Sequence, residues 1–230
     1  MDGSNLFVSE EMKKAYFFDM DGVLLNSMPN HAEAWRRVMQ EYGIDFPPRV
    51  CYINEGRTGK DIIEWLGTVN RRPFTPEEVQ HIYDEKTRVY HELGGGLPLK
   101  GIREVLEYLQ TRAEIWVVTG GGQYDLYEQL ERWFPGIFRR EQMITAHDVT
   151  HGKPHPEPYL RAWEKSGYGK ADCCVIENAP LGIKAGKAAG LMTVGVNTGI
   201  LLRSDLSMAG ADKVFDDMTG LLKWLQESEK

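Results

Sequence analysis

Two kinds of apolar pattern alternate along the chain. Short continuous runs bounded by turn residues read as buried strands: Ala15–Phe18, Ile115–Val118, Cys173–Ile176 and Met192–Val196, with Gln142–Thr145 and Lys213–Phe215 as shorter candidates. Between them, apolar residues recur at helical spacing. After Lys100 this predicts helices over Ile102–Arg112, Tyr124–Trp133, Glu157–Ser166, Leu181–Ala189 and Met218–Gln226. Strands alternating with helices of this length imply an α/β fold with a parallel sheet covered on both faces.

The segment from about residue 30 to 97 obeys a different grammar. Pro29–Tyr42 places Ala32, Trp35, Val38 and Met39 on one helical face, and Lys60 to about Leu66 predicts a second helix. Thr75-Pro76-Glu77-Glu78 is a helix start: Thr75 caps, Pro76 takes the first position and Glu78 closes a capping box, so a helix runs on to Leu93. Gly94-Gly95-Gly96-Leu97-Pro98 then reads as a hinge, and no strand is expected between about residue 30 and 97. The first strand is therefore split from the others by a helical insert. The expected domains are residues 1–29 with 98–230 as an α/β core, and residues 30–97 as the insert.

Three of the predicted strands end in polar groups. Phe18 is followed by Asp19-Met20-Asp21-Gly22, Val118 by Thr119-Gly120-Gly121-Gly122, and Ile176 by Glu177-Asn178. In a parallel sheet these ends lie side by side, where open α/β sheets bind ligands. Asp-x-Asp-Gly also fits a plain turn. A calcium loop of the EF-hand kind is excluded, because Met20 to Leu25 is too apolar to supply further oxygen ligands. Asp19 and Asp21 stand two residues apart where the strand gives way to a turn, and suit two different tasks. Thr119 and its glycines offer a hydroxyl and approachable N–H groups, a cradle for phosphate, although a glycine run is also a simple flexible turn. Lys153, in His151-Gly152-Lys153-Pro154-His155-Pro156, sits on backbone stiffened by proline and can be aimed as a cation.

Composition narrows the partners. A net charge of −7 argues against nucleic acid or an anionic membrane surface, so an anionic substrate must be held locally, by a metal and a few placed cations. Apolar runs fall far short of a membrane span. Met1-Asp2-Gly3-Ser4-Asn5 shows neither the basic nor the apolar region of a secretory signal. Cys51, Cys173 and Cys174 fit reduced core thiols of a cytoplasmic protein. Gly56-Arg57-Thr58-Gly59-Lys60 is not a nucleotide-binding P-loop: its spacing is wrong and Asp61 replaces the required Ser or Thr.

Taken in order, these pieces resemble the haloacid dehalogenase superfamily. The likeness covers essentially the whole chain: Asp-x-Asp-Gly after the first strand, Thr119 after the second motif strand, Lys153 in Gly-Lys-Pro-x-Pro, and an acidic loop before Leu181-Gly182-Ile183-Lys184-Ala185-Gly186. His31-Ala32-Glu33-Ala34-Trp35 further resembles the β-phosphoglucomutase-like branch, and the helical insert its small mobile cap. The resemblance implies a Rossmann-like core, an aspartyl-phosphate intermediate on Asp19, acid–base work by Asp21, and phosphoryl-oxygen binding by Thr119 and Lys153. It also implies Mg²⁺ held by Asp19, the Asp21 carbonyl, Glu177 and Asn178.

Two departures from that pattern sharpen the expectation. Asn178 stands where the family usually has an acid, removing one negative charge, and Glu55 in the insert is a candidate to restore it at the metal. After Thr119, Gly121, Gly122 and Gln123 offer fewer phosphate donors than the mutases of the branch, and Gly120, Gly121 and Gln123 are the candidates there to bind substrate. Both point away from hexose phosphate mutation and towards a compact substrate. Members bearing Glu-Gly-Arg-Thr-Gly and Glu-Asn-Ala-Pro-Leu-Gly resemble inorganic pyrophosphatases. His31, Arg57 and Lys86 would then face the outer phosphate, with pairing to Asp21 as a second use for His31. The leading expectation is hydrolysis of a small phosphorylated substrate, inorganic pyrophosphate first. The alternatives are a β-phosphoglucomutase and, given Asn178, a catalytically weak phosphate-binding regulatory module. Oligomeric state is not encoded legibly.

Overall fold

Ala15–Phe18 (β1) is wholly buried on both faces, which is why its four residues are all apolar. The structure, a computed structural model, describes residues 11–122 and 125–228. The N-terminal residues read for a leader, together with Gln123 and Tyr124, lie outside the described residues. After β1 come β2 (Leu25–Asn26), α1 (Met28–Glu41), α2 (Pro48–Ile53), α3 (Gly59–Val69), α4 (Pro76–Glu92) and β3 (Leu97–Pro98). Next are α5 (Ile102–Leu109), β4 (Glu114–Val118), α6 (Leu126–Trp133), β5 (Met143–Ile144), α7 (Glu157–Ser166), β6 (Cys173–Glu177) and α8 (Pro180–Ala188). The chain ends with β7 (Met192–Val196), α9 (Arg203–Met208), β8 (Lys213–Phe215) and α10 (Met218–Glu227).

Among the described residues, six strands form one parallel sheet in the order β5-β4-β1-β6-β7-β8. The period-two alternation sends its side chains into two cores. Tyr16, Phe18, Val117 and Ile176 pack with α5, α6 and α10, while Phe17, Trp116, Val118 and Val175 pack with α7 and α8. Burying each such aromatic or branched side chain contributes about 1.5–3 kcal/mol. Phe18 is in register with Val117 of β4 and Ile176 of β6. One residue further on in β1 and β6, and two in β4, Asp19, Glu177 and Thr119 reach the same edge.

The helices α1 to α4 own a separate apolar cluster around Trp35, Met39, Ile63, Leu66, Ile82 and Tyr90. The fold is thus a Rossmann-like α/β core with an inserted helical cap. The capping box at Thr75 and Glu78 forms as the sequence predicts. Three expectations are corrected. The α2 helix is absent from the sequence reading because it is short and begins at a diproline. The predicted helix to Arg112 stops at Leu109. The glycine hinge ends in a strand, with Leu97 and Pro98 pairing antiparallel to Asn26 and Leu25. Entry and exit of the cap are also tied by Asn30, whose side-chain amide donates to the carbonyls of Leu93 (3.1 Å) and Gly95 (2.6 Å).

The loop after β7 meets the cap from the core side. Leu201 is buried in the cap cluster, and a Cβ on Gly199 would lie 2.5 Å from the Tyr52 ring. Arg49 of α2 pairs with Asp205 of α9 at 3.0 Å. The cap is closed on the core.

Candidate active site

The centre of the site is a buried lysine. Lys153 spends its three N–H donors on Asp19 Oδ1 (2.5 Å), Glu177 Oε1 (2.7 Å) and the Val118 carbonyl (3.0 Å), so one side chain stitches together the ends of β1, β4 and β6. Burial alone would lower its pKa, but the two carboxylates outweigh that and hold the ammonium above an ordinary lysine. Glu177 is saturated in turn. Its Oε1 also accepts from the Tyr159 hydroxyl (2.7 Å), and its Oε2 accepts from the backbone N–H of Asn178 (3.0 Å) and Ala179 (3.3 Å). Glu177 therefore aims Lys153, and both of its oxygens are already met.

Other oxygens are not met. Asp19 Oδ2 and Asn178 Oδ1 are buried without a hydrogen-bond partner. Glu55, at the start of the loop after α2, reaches down from the cap and accepts from Asn178 Nδ2 at 3.0 Å. It is 8% exposed, a carboxylate taken out of water. Burial, then the charges of Asp19, Glu177 and Asp21, push its pKa well up. Burial also lifts Asp19, against Lys153 and with Glu177 and Asp21, to about 8. The first cause in both is burial, and the second to raise them is the carboxylate charge gathered around them. Asp19 Oδ2, Asn178 Oδ1 and Glu55 form an oxygen-only donor set of the kind hard divalent cations take. Two glycines make the approach possible. A Cβ on Gly22 (φ +79°) would lie 2.1 Å from Asn178 Nδ2, and one on Gly56 (φ +90°) 2.7 Å from the Lys153 stem.

Asp21 sits on a separate arm. Its Oδ1 accepts from the Ser27 hydroxyl and lies 3.0 Å from His31 Nε2. Burial would raise its pKa, but His31, Ser27 and Lys86 together bring it down to about 2. Lys86 Nζ lies 2.8 Å from His31 Nδ1, so the ammonium donates to Nδ1 and the imidazole donates its Nε2–H to Asp21. Burial and Lys86 both lower the His31 pKa, which fits this neutral tautomer. The His31 ring stacks on Tyr90 with centroids 4.0 Å apart.

Asp21, His31, Glu55, Arg57, Lys86, Gly120 and Gly121 line one small cavity of about 80 Å³. Pockets for drug-sized ligands are roughly 300–1,000 Å³. Arg57 is on its wall, donating to Asn54 Oδ1 at 3.1 Å. His31 and Lys86 face Asp21 and each other, not the cavity alone. Thr119 is buried, its Oγ1 accepting from Gly121 N–H at 2.9 Å while its own hydroxyl proton stays available. Gln123 lies outside the described residues. Thr58, in the false P-loop, caps α3 by accepting from Asp61 N–H. Sequence reading missed Ser27, Tyr90 and Tyr159, whose polar ends are placed only by tertiary packing. No local pattern marks them.

Residues 13–190 match the family model "haloacid dehalogenase-like hydrolase". The chain is 30% identical over 211 residues, 90% of its length and 95% of the relative's, to validoxylamine A 7'-phosphate phosphatase of Streptomyces hygroscopicus subsp. limoneus. It is 35% identical to glycerol-1-phosphate phosphohydrolase 1 of Saccharomyces cerevisiae, over 80% of this chain and 74% of that one. A solved structure described as "Putative beta-phosphoglucomutase from Bacteroides vulgatus" superposes with a TM-score of 0.90 at 42% identity, covering 97% of this chain and 92% of that one. With its strand order, closed cap and these relatives in agreement, the chain belongs to the haloacid dehalogenase-like hydrolases, in their β-phosphoglucomutase-like branch, and is an enzyme of the phosphatase or mutase kind.

Proposed function

We propose that this protein is a Mg²⁺-dependent phosphohydrolase working through an aspartyl phosphate, with inorganic pyrophosphate as its substrate. The observation that carries this reading is Glu55, a cap carboxylate buried within 3.0 Å of Asn178 in the core. It returns the charge that Asn178 lacks and occupies the space a bulky leaving group would need.

Mg²⁺ would be held by Asp19, Asn178, Glu55 and the Asp21 carbonyl, and when bound it neutralises the phosphoryl charge. Asp19, fixed through Oδ1 by Lys153, attacks phosphorus as the bond to the leaving oxygen breaks. Water then attacks the acyl phosphate, Asp21 takes its proton, and Asp19 is regenerated as phosphate departs. The Thr119 hydroxyl and the Gly120 N–H donate to the phosphoryl oxygens, and Lys153, whose donors are met by Asp19, Glu177 and the Val118 carbonyl, stabilises them through its charge.

The surroundings of Asp21 support the choice of substrate. Its Oδ1 accepts from both Ser27 and His31, an arrangement that suits the ionised form. Ionised Asp21 is free to accept the water proton in the second step and is a poor proton source for the first. A phosphate leaves as a stable anion without a proton, whereas a sugar alkoxide needs one. The competing reading, action on a phosphorylated sugar or polyol, rests on the names of the relatives.

Steady-state phosphate release with Mg²⁺, over pyrophosphate, glycerol 1-phosphate and hexose phosphates, separates the two. Pyrophosphate should lead in kcat/KM by at least about 100-fold, or about 2.7 kcal/mol. Faster ester hydrolysis, or isomerisation of glucose 1-phosphate, would overturn it. Glu55→Gln keeps the contact to Asn178 and removes the charge. The Mg²⁺ activation midpoint should rise about tenfold or more; an unchanged titration retires Glu55 as a ligand.

A further inference from the structure

Lys153 is flanked by a second set of ligating side chains that faces solvent. His151, His155 and Glu157 each bring a ligating atom within 4.8 Å of the others. They stand two before, two after and four after Lys153, on the outer side of the loop whose lysine points inward. His151 Nδ1 and Glu157 Oε2 are 3.1 Å apart. Two ligands on a tetrahedral ion with bonds near 2.0–2.1 Å are separated by about 3.3 Å. The His151 and His155 rings lie 4.6 Å apart between centroids, inclined by 35°, so both imidazoles are presented on the same side.

The carboxylate is already oriented. Glu157 accepts from the backbone N–H of Thr150 (3.0 Å) and His151 (2.9 Å), and Arg161 reaches it at 3.2 Å. Such outer contacts fix a ligand's direction before the ion arrives. His155 Nδ1 accepts from Glu157 N–H at 3.2 Å, a long bond that is lightly held. Pro154, Pro156 and Pro158 restrict the backbone between and beyond the three residues.

We propose that His151, His155 and Glu157 form a surface site for Zn²⁺, separate in place and chemistry from the buried carboxylate cluster. Two imidazoles and one carboxylate are the donor set of open zinc sites, with water completing the shell. Imidazole selects Zn²⁺, Cu²⁺ and Ni²⁺, whereas the oxygen-only cluster around Asp19 suits Mg²⁺. On binding, the bond from His151 Nδ1 to Glu157 is replaced by two bonds to the ion, and the imidazole proton moves to the solvent-facing Nε2. No net proton is released. The ion joins both flanks of Lys153 and clamps the loop that presents it.

The test uses the untagged chain with Mg²⁺ in excess, so that the carboxylate cluster is filled, and titrates Zn²⁺ calorimetrically. One Zn²⁺ should bind per chain and raise the melting temperature. His151→Ala with His155→Ala should weaken binding at least about tenfold. Retained Mg²⁺-dependent phosphate release shows that the double variant is folded. Each single variant, which leaves the Glu157 contacts to the loop backbone intact, should fall in between. Cu²⁺ bound to the wild type should show nitrogen coupling from imidazole by electron paramagnetic resonance. No saturable Zn²⁺ binding, an isotherm unchanged in the double variant, or an oxygen-only Cu²⁺ spectrum would each overturn the proposal.

Discussion

Two lysines are buried beside the cavity, one in the core and one in the cap, and they are held by opposite means. Lys153 is 1% exposed and meets two carboxylates and a carbonyl. Lys86 is 6% exposed and meets a neutral imidazole and the faces of Trp35 (5.4 Å) and Tyr90 (5.2 Å). Burial pushes both towards losing the proton. In the core, adjacent negative charge more than reverses it. In the cap the carboxylate that acts on Lys86, Asp21 of the core, lies beyond His31, and Lys86 falls to about 8. The two charges therefore have different roles. The core ammonium is part of the wall that aligns three strand ends; the cap ammonium acts on Asp21 through the His31 ring that lies between them.

Breaking the core lysine should cost most. Lys153→Met leaves Asp19 and Glu177 buried without their cation, and removing one partner of a buried pair costs about 3–5 kcal/mol. Urea unfolding should show that loss; a change below about 1 kcal/mol would mean that the carboxylates are not charged there. Tyr159→Phe is milder, since Glu177 keeps three donors and loses one hydroxyl. Leaving a buried acceptor short costs about 1–3 kcal/mol. Its phosphate release should fall with the aim of Lys153, and an unchanged kcat would remove Tyr159 from the positioning of the site. Smallest is Lys86→Met, which replaces a desolvated ammonium among aromatic rings with an apolar chain of similar volume. Stability should stay within about 1.5 kcal/mol, while the pH profile of turnover shifts as His31 loses its donor. A loss as large as that of Lys153→Met would erase the contrast.

Much of this was legible in the chain. β1 and β6 announced themselves because a strand covered on both faces must be apolar throughout, and the polar residues after Phe18, Val118 and Ile176 marked one sheet edge. Thr75 to Glu78 fixed a helix start through contacts four residues long. The α2 helix and the two-residue pairing of β2 with β3 escaped, because their stability comes from neighbours distant in sequence. Glu177 escaped in another way: its residue type said ligand, but four donors from Lys153, Tyr159 and the loop backbone say scaffold.

Hydrophobic period and local hydrogen bonding span a few residues, so the order of amino acids was enough to say which strands are buried, where acids follow them, and that a helical segment interrupts the core. Long-range packing alone put Glu55 against Asn178, linked Lys86 to Asp21 through His31, and left Asp19 Oδ2 without a partner. Those are matters of charge balance at short range between groups up to 123 residues apart. Burial and Coulomb energy depend on distance in space, and no local pattern records it.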